Sequence, residues 1–375
     1  MSTYIDLHII QNLPPSCVNR DDSGSPKSAA YGGVRRLRVS SQSWKRATRL
    51  YFNELLGASD VGIRTKRVVE LLANKIAAEA PDLTESAPAL AEDVFKAVKI
   101  KLSAPRGKKD APQESGYLLF LSTSQVARLA ELAIAAARSG GNVDAKEVKK
   151  IFKEAHAVDV SLFGRMVADD TDLNVDAACQ VAHAISTHAA ENEYDFFTAV
   201  DDAKSRSEEE DAGAGMMGTV EFSSATMYRY ATVNFDLLAE NLGNTDAALR
   251  ALEVFVKGFC LSMPTGKQNT FANRTVPEAI VISVRDDQPV SLVGAFEQPV
   301  RTDDVHGYLG RSIDALAKHA RAVENTYGLR PLASFVVSLK DSDAVASLGE
   351  RVSFADLSGR LRETVAARVA NEEQA

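Results

Sequence analysis

The chain has 375 residues, 45 % of them apolar, and its 43 Lys and Arg against 51 Asp and Glu give a formal net charge of −8. That length supports one large domain with insertions or two to three smaller ones, and no stretch nears the roughly 18 uninterrupted apolar residues that a membrane-spanning helix needs. The acidic total on its face argues against a nucleic-acid-binding protein, and the three scattered cysteines (Cys17, Cys179 and Cys260) argue against a disulfide framework or a cysteine zinc site. Tyr4–Ile10 has the β-branched, apolar mixture of a strand, ended by the turn signal Asn12-Leu13-Pro14-Pro15. Ser16 to Gly33, rich in Ser, Asp, Gly and Pro, reads as a long polar loop. Val34–Val39 alternates as a second strand, and Ser40 and Ser41 stand at the N-cap of an amphipathic helix from Gln42 to Leu55.

Between about Asp60 and Asp159 the sequence turns to Ala, Leu, Lys and Glu. Helices are predicted at Thr65–Glu79, Gln125–Arg138 and Ala145–Ala155, with an irregular basic loop at Lys99–Asp110. Such a block, poor in β-formers, is expected as an insertion into an α+β domain. Asp176–His188 is helical or strand-like, Asp201–Gly218 irregular, and Glu221–Val233 a strand. A helix at Ala247–Met263 is closed by Pro264, and the loop Thr265–Pro277 leads to a strand at Ala279–Val284. The C-terminal third reads as a helix at His306–Tyr327, a strand at Ala333–Ser338 and a helix at Phe354–Asn371. The first residues lack the basic start, apolar run and cleavage site of a secretory leader, so a cytoplasmic location is expected, with the cysteines as core residues.

The mean charge conceals an asymmetry. From Arg20 to Leu50 there are eight bases (Arg20, Lys27, Arg35, Arg36, Arg38, Lys45, Arg46, Arg49) against two acids, whereas Glu191 to Asp211 holds nine acids against two bases. On the helix after Ser40, Trp44, Ala47, Tyr51 and Leu55 are expected on the apolar stripe. Gln42, Lys45, Arg46 and Arg49 follow i, i+3, i+4 and i+7 and share another face, which begins beside first-turn N–H groups and suits phosphate oxygens. Lys146, Lys149, Lys150 and Lys153 repeat that spacing farther on. Either stripe would equally serve as a solvated helix face.

PSCVNRDD, YGGVRRLRVSSQSWKRA, FGRM, VAHAISTH, DFFTAVDD and EFSSATMYRYA, in that order, resemble the CasC family. These are the backbone subunits of type I-E CRISPR Cascade complexes, in the Cas-seven group of the RAMP superfamily. The resemblance runs from the first residues to about Val284 and is weak across the helical insertion and the C-terminal third. It implies an α+β fold: a modified RRM-like (ferredoxin-like) palm, a helical finger insertion and a thumb hairpin. The implied boundaries are palm 1–58, fingers 59–175, palm 176–200, thumb 201–223, and palm with C-terminal helices 224–375. It also implies a non-catalytic subunit without cofactor that polymerises head to tail along guide RNA (crRNA) and presents it to target DNA in antiviral defence. Other copies of the chain, other Cascade subunits and a helicase-nuclease recruited through the complex are the implied partners, with no membrane.

By this resemblance Arg20, Lys27, Ser40, Gln42, Lys45, Arg46 and Arg49 contact the guide backbone, and Met166 and Met217 wedge against bases. Lys267 and Gln268 lie near the RNA, and Lys146, Lys149, Lys150 and Lys153 are candidates for contact with duplex DNA. The acidic run Glu208–Asp211 in the thumb should repel RNA, so it is expected to face solvent or a basic patch on a neighbour.

Other motifs fail on context. Gly213–Gly218 spells GxGxxG, but an acidic loop precedes it and a strand follows, which excludes the dinucleotide fingerprint. Gly266-Lys267 lacks the rest of a phosphate-binding loop, and His183 and His188 are five apart, too far around a helix to share a metal, so both are expected in or near the core. The rival reading is a metal-dependent RAMP-type endoribonuclease using Asp21 and Asp22; no histidine lies near them in sequence to act as acid or base.

Overall fold

The computed structural model describes residues 2–57, 60–105, 107, 111–199, 216–303 and 307–373. In chain order its elements begin with β1 (Tyr4–Ser16), β2 (Ser28–Tyr31), β3 (Val34–Val39) and α1 (Ser41–Leu55). An insertion follows: β4 (Gly62–Thr65), α2 (Val68–Glu79), α3 (Ala87–Ala97), β5 (Leu102–Ser103), β6 (Glu114–Ser115), β7 (Leu119–Ser122), α4 (Thr123–Ser139), α5 (Ala145–Lys153) and α6 (Val158–Phe163). Then come β8 (Cys179–Val181), β9 (Ala184–Ser186), β10 (Glu193–Ala199), β11 (Met216–Asn234), α7 (Phe235–Leu242), α8 (Thr245–Leu261), α9 (Gln268–Phe271) and β12 (Ala279–Arg285). The chain closes with α10 (Tyr308–Tyr327), β13 (Ala333–Ser338), α11 (Asp343–Ala346), β14 (Glu350–Arg351) and α12 (Phe354–Glu373).

The fold is α+β. β1 lies between β11 and β12, antiparallel to both, and β9 pairs with the other edge of β11. β1-α1-β9-β11-α8-β12 in the order β12-β1-β11-β9 is the split βαβ arrangement, with α1 and α8 adjacent on one face. The two-residue period of β1 explains why both faces are covered. Ile5, Leu7 and Ile9 face the core under α8 and α12, while Ile10 joins Tyr228, Val281, Val336 and Leu316 under α10. The insertion has a separate core, with Leu72, Ile76, Phe95, Leu129 and Phe152 fully or almost fully buried. Cys17, Cys179 and Cys260 are buried thiols, as expected.

Several local expectations are corrected. Pro14 and Pro15 do not end the first strand; the ladder slips between Leu13 and Ser16, so the residues that cannot donate sit in a bulge. The polar loop contains β2, joined to β3 through Gly32 (φ +59°) and Gly33 (φ +77°). Both residues occupy the left-handed region that a two-residue hairpin turn demands. A side chain on Gly32 would also drive its Cβ into the Glu297 carbonyl. Of the two readings left open for Asp176–His188 the strand is the one found, as β8 and β9, while the expected loop Thr265–Pro277 contains α9. The block from Asp60 to Asp159 also holds α3 and α6 and four short strands.

β10 pairs with Met216–Phe222 of β11 as a two-stranded arm, and pairing with β1 begins at Ser223. The arm therefore includes Glu193–Ala199, which the resemblance assigned to the sheet domain. Asp201 and the acidic run Glu208–Asp211 lie outside the described residues.

Candidate nucleic-acid interface

α1 starts where the sequence predicts. Ser40 is extended (φ −66°, ψ 147°) and its hydroxyl accepts the Ser43 N–H at 3.3 Å, while its own N–H donates to Asn19 Oδ1 at 2.8 Å. The Ser41 N–H donates to His183 Nδ1 at 3.2 Å. Two first-turn donors expected to meet phosphate are thus already engaged within the chain. His183, expected in or near the core, is exposed at the tight turn from β8 to β9. His188 is buried, stacked 3.5 Å from the Tyr308 ring, and its Nε2 accepts the Thr226 N–H.

The buried stripe of α1 is Trp44, Ala47, Thr48 and Phe52; Tyr51 is half-buried and Leu55 exposed. Gly258 of α8 decides this rotation, because a Cβ there would lie 2.9 Å from the Phe52 ring and 3.2 Å from Thr48 Cγ2. Beneath Trp44 the buried Arg229 guanidinium stacks at 3.6 Å and donates to Gln11 and to the Phe259 carbonyl. Burial lowers the Arg229 pKa to about 9.

Gln42, Lys45, Arg46 and Arg49 line one wall of a cleft of about 910 Å³ between α1 and the insertion. The facing residues include Arg64, Phe120, Phe163, Arg165 and Met166, with Asp176 as the acid of the lining. Lys45 Nζ sits 5.5 Å from the Phe163 ring centre, and the Arg49 guanidinium 4.3 Å from that of Phe120. Such cations are held against apolar surface while their charge stays at the cleft.

Met166 is 78 % exposed, and its neighbours explain how an apolar side chain is kept there. Gly164 has φ +76°, and a Cβ on it would come within 2.8 Å of the Val175 carbonyl oxygen. Arg165 is buried and donates to the carbonyls of Leu173, Phe120 and Phe152 and to Gln125 Oε1. Burial lowers its pKa to about 10. The Val167 N–H donates to Asn174 Oδ1 at 2.6 Å. Fixed on both sides, the backbone holds Met166 outward.

A second groove of about 250 Å³ runs on the other side of α1, lined by Arg46, Tyr51, Gln268 and Arg274 among others. Gly266 packs so closely that a Cβ would lie 2.4 Å from the Val18 carbonyl oxygen, and Lys267 follows with φ +52°. Arg20 and Lys267 both oppose the upward shift that burial imposes on the Cys17 thiol. Lys27 and Arg38 help burial lower the His183 pKa, and the Arg38 guanidinium lies 3.2 Å from His183 Nδ1 at the start of α1.

The remaining expectations fall elsewhere. Arg36, counted in the basic run, is fully buried and donates to the carbonyls of Tyr31, Ser186, Phe296 and Glu297, so it fastens the sheet. Asp21 Oδ1 accepts the Ser23 N–H, the Ser23 hydroxyl and the Ser25 N–H, which lowers its pKa and closes a local turn. Met217 lines neither cleft and is 66 % exposed on the arm, on the same ladder face as Tyr194 and Phe196. On α5, Lys149 pairs with Asp170 at 2.7 Å and Asp172 at 3.2 Å, while Lys146, Lys150 and Lys153 are exposed. Arg64 and Arg274 escaped the sequence reading as cleft residues, and Arg165 and His183 went unassigned to the interface although FGRM and VAHAISTH contain them.

The model of the family described as CT1975-like protein matches residues 5–360. No curated protein sequence matches the chain. A solved structure described as "CRISPR RNA-guided surveillance complex, pre-nicking" is similar at 35 % identity with a TM-score of 0.86, over 96 % of this chain and 99 % of that one. Another, "CRISPR RNA-guided surveillance complex", is similar at 30 % identity with a TM-score of 0.77, over 96 % and 99 %. Among the described residues no helix is long and apolar enough to cross a membrane.

Proposed function

Since the chain belongs to the CT1975-like family of Cas proteins, we propose that it is a guide-RNA-binding backbone subunit of a CRISPR surveillance complex, of the type I-E kind. One observation carries the reading: the Gln42, Lys45, Arg46 and Arg49 face and the outward Met166 line one cleft. A subunit that must hold any guide has to grip sugar and phosphate and leave base edges for pairing. Cations at ring faces satisfy the first need, and an apolar side chain beside a base is indifferent to its identity. The solved structures it resembles are of RNA-guided surveillance complexes, which supports crRNA and other subunits of the complex as partners.

In this reading the chain is non-catalytic. Copies add head to tail along crRNA, the exposed bases pair with target DNA, and a helicase-nuclease is recruited by the complex as a whole. Head-to-tail contacts use two different surfaces and do not close by themselves, so RNA length sets the number of copies. Mass measurement tests this: the purified chain alone should be monomeric, and bound copies should increase stepwise with RNA length. A stable closed ring without RNA, or a stoichiometry independent of RNA length, overturns the proposal.

A further inference from the structure

Resting on that reading, we propose that Asp159 is a positioning residue for the RNA interface: it aims Arg49 at the cleft and pins the helical insertion to the helix that holds the guide. Asp159 is fully buried at the start of α6. Its Oδ1 accepts the Gly62 N–H at 2.8 Å, from the strand that opens the insertion, and its Oδ2 accepts Arg49 Nε–H at 3.1 Å. The Phe120 ring of β7 covers one face of the same guanidinium. Gly62 leaves no slack, because a Cβ there would lie 2.7 Å from Phe120 and 3.1 Å from Asp159 Oδ1. Four elements, α1, β4, β7 and α6, thus meet at one ion pair.

A guanidinium held through Nε, with a ring against its face, has its two terminal nitrogens left to address a ligand in a fixed fork. Arg49 lines the cleft, so that fork belongs to the cleft wall. Lys45 differs, since an ammonium on a flexible stem over Phe163 can swing. The carboxylate offsets the charge of Arg49, so the pair adds little long-range attraction for a polyanion. What it adds is direction.

This separates positioning from charge by sign. If Asp159 were merely a negative charge near RNA, Asp159→Asn would tighten binding and steepen its salt dependence. Positioning requires the opposite. In fluorescence anisotropy with a single-stranded RNA of fixed length, Asp159→Asn should weaken binding about tenfold, the scale of one charge-assisted hydrogen bond, without flattening the salt slope. Arg49→Lys keeps the charge but loses the fork and should weaken binding similarly, and the double variant should lose no more than either alone.

Binding by Asp159→Asn within twofold of the parent, tighter binding, or losses that multiply in the double variant would overturn the inference. If Asp159→Asn does not fold, Arg49→Lys decides alone, and parental affinity there overturns it. Lys45→Ala with Arg46→Ala is the control. If that pair leaves RNA binding intact, the interface reading itself fails; if it weakens binding while Asp159→Asn does not, only the role of Asp159 fails.

Discussion

Two helices of this molecule carry cationic stripes with the same i, i+3, i+4, i+7 spacing, and the fold uses them differently. On α1, Lys45 and Arg49 lie against Phe163 and Phe120 and open on a cleft whose far side includes Arg64 and Arg165. On α5, Lys149 is tied to Asp170 and Asp172, and the other three lysines stand exposed. Spacing shows which residues share a face. What that face meets is set by residues far away in sequence, and only then does a stripe become a grip or remain a solvated surface.

The sharpest way to break the contrast is to neutralise each stripe. Lys45→Ala with Arg46→Ala should cost about a hundredfold in RNA affinity at physiological salt and flatten the salt slope by roughly 1.4, about 0.7 for each phosphate no longer neutralised. Lys146, Lys150 and Lys153 changed together to Ala should leave RNA binding within about twofold. Equal losses in the two anisotropy series would erase the distinction. Next in size, Gly164→Ala places a side chain at φ +76° against the Val175 carbonyl, and should destabilise the chain by about 2 kcal/mol in denaturant titration. Parental stability would mean that the turn holding Met166 is not constrained as described.

Acid probes both regions at once, because burial lowers His8 in the central sheet to about 3 and His156 in the insertion to about 4. With folded values below the ordinary 6.5, the unfolded chain binds more protons between those limits. The stability that these two neutral histidines contribute is therefore complete above pH 6.5 and declines as pH falls. Thermal unfolding should show Tm dropping between pH 7 and pH 5, and His156→Gln should reduce that drop. The smallest effect is expected from Asp170→Asn with Asp172→Asn. Releasing Lys149 should tighten duplex-DNA binding by two- to threefold at low salt, and no change would mean that α5 stays a solvated face.

How much of this could be read in advance depended on range. β3 and the Ser40 cap were legible because alternation and capping are decided within a few residues. The Gly32-Gly33 turn is equally local, but its signal lies inside a stretch whose composition reads as a polar loop. Arg36 counts in the sequence only as one more base of the basic run, because its four carbonyl partners are mostly distant, at Ser186, Phe296 and Glu297. The partner of Arg49, Asp159, is 110 residues away, so the ion pair had no local signature. The buried row of α1 holds at Trp44 and Ala47 and departs from expectation farther on, because Gly258, on another helix, selects Phe52 over Tyr51. Met166 was named through the FGRM resemblance alone, and the reason it stands outward became visible only with Arg165 inside.

β11 is a single strand of 19 residues, roughly 60 Å long, that serves first as one rail of the arm and then as a central plank of the sheet. No loop separates the two roles. Tension applied at the arm is therefore carried as shear along hydrogen bonds lying across the pull, which must yield many at a time. The arm behaves as a cantilever built into the middle of the protein, and its stiffness is that of the sheet itself.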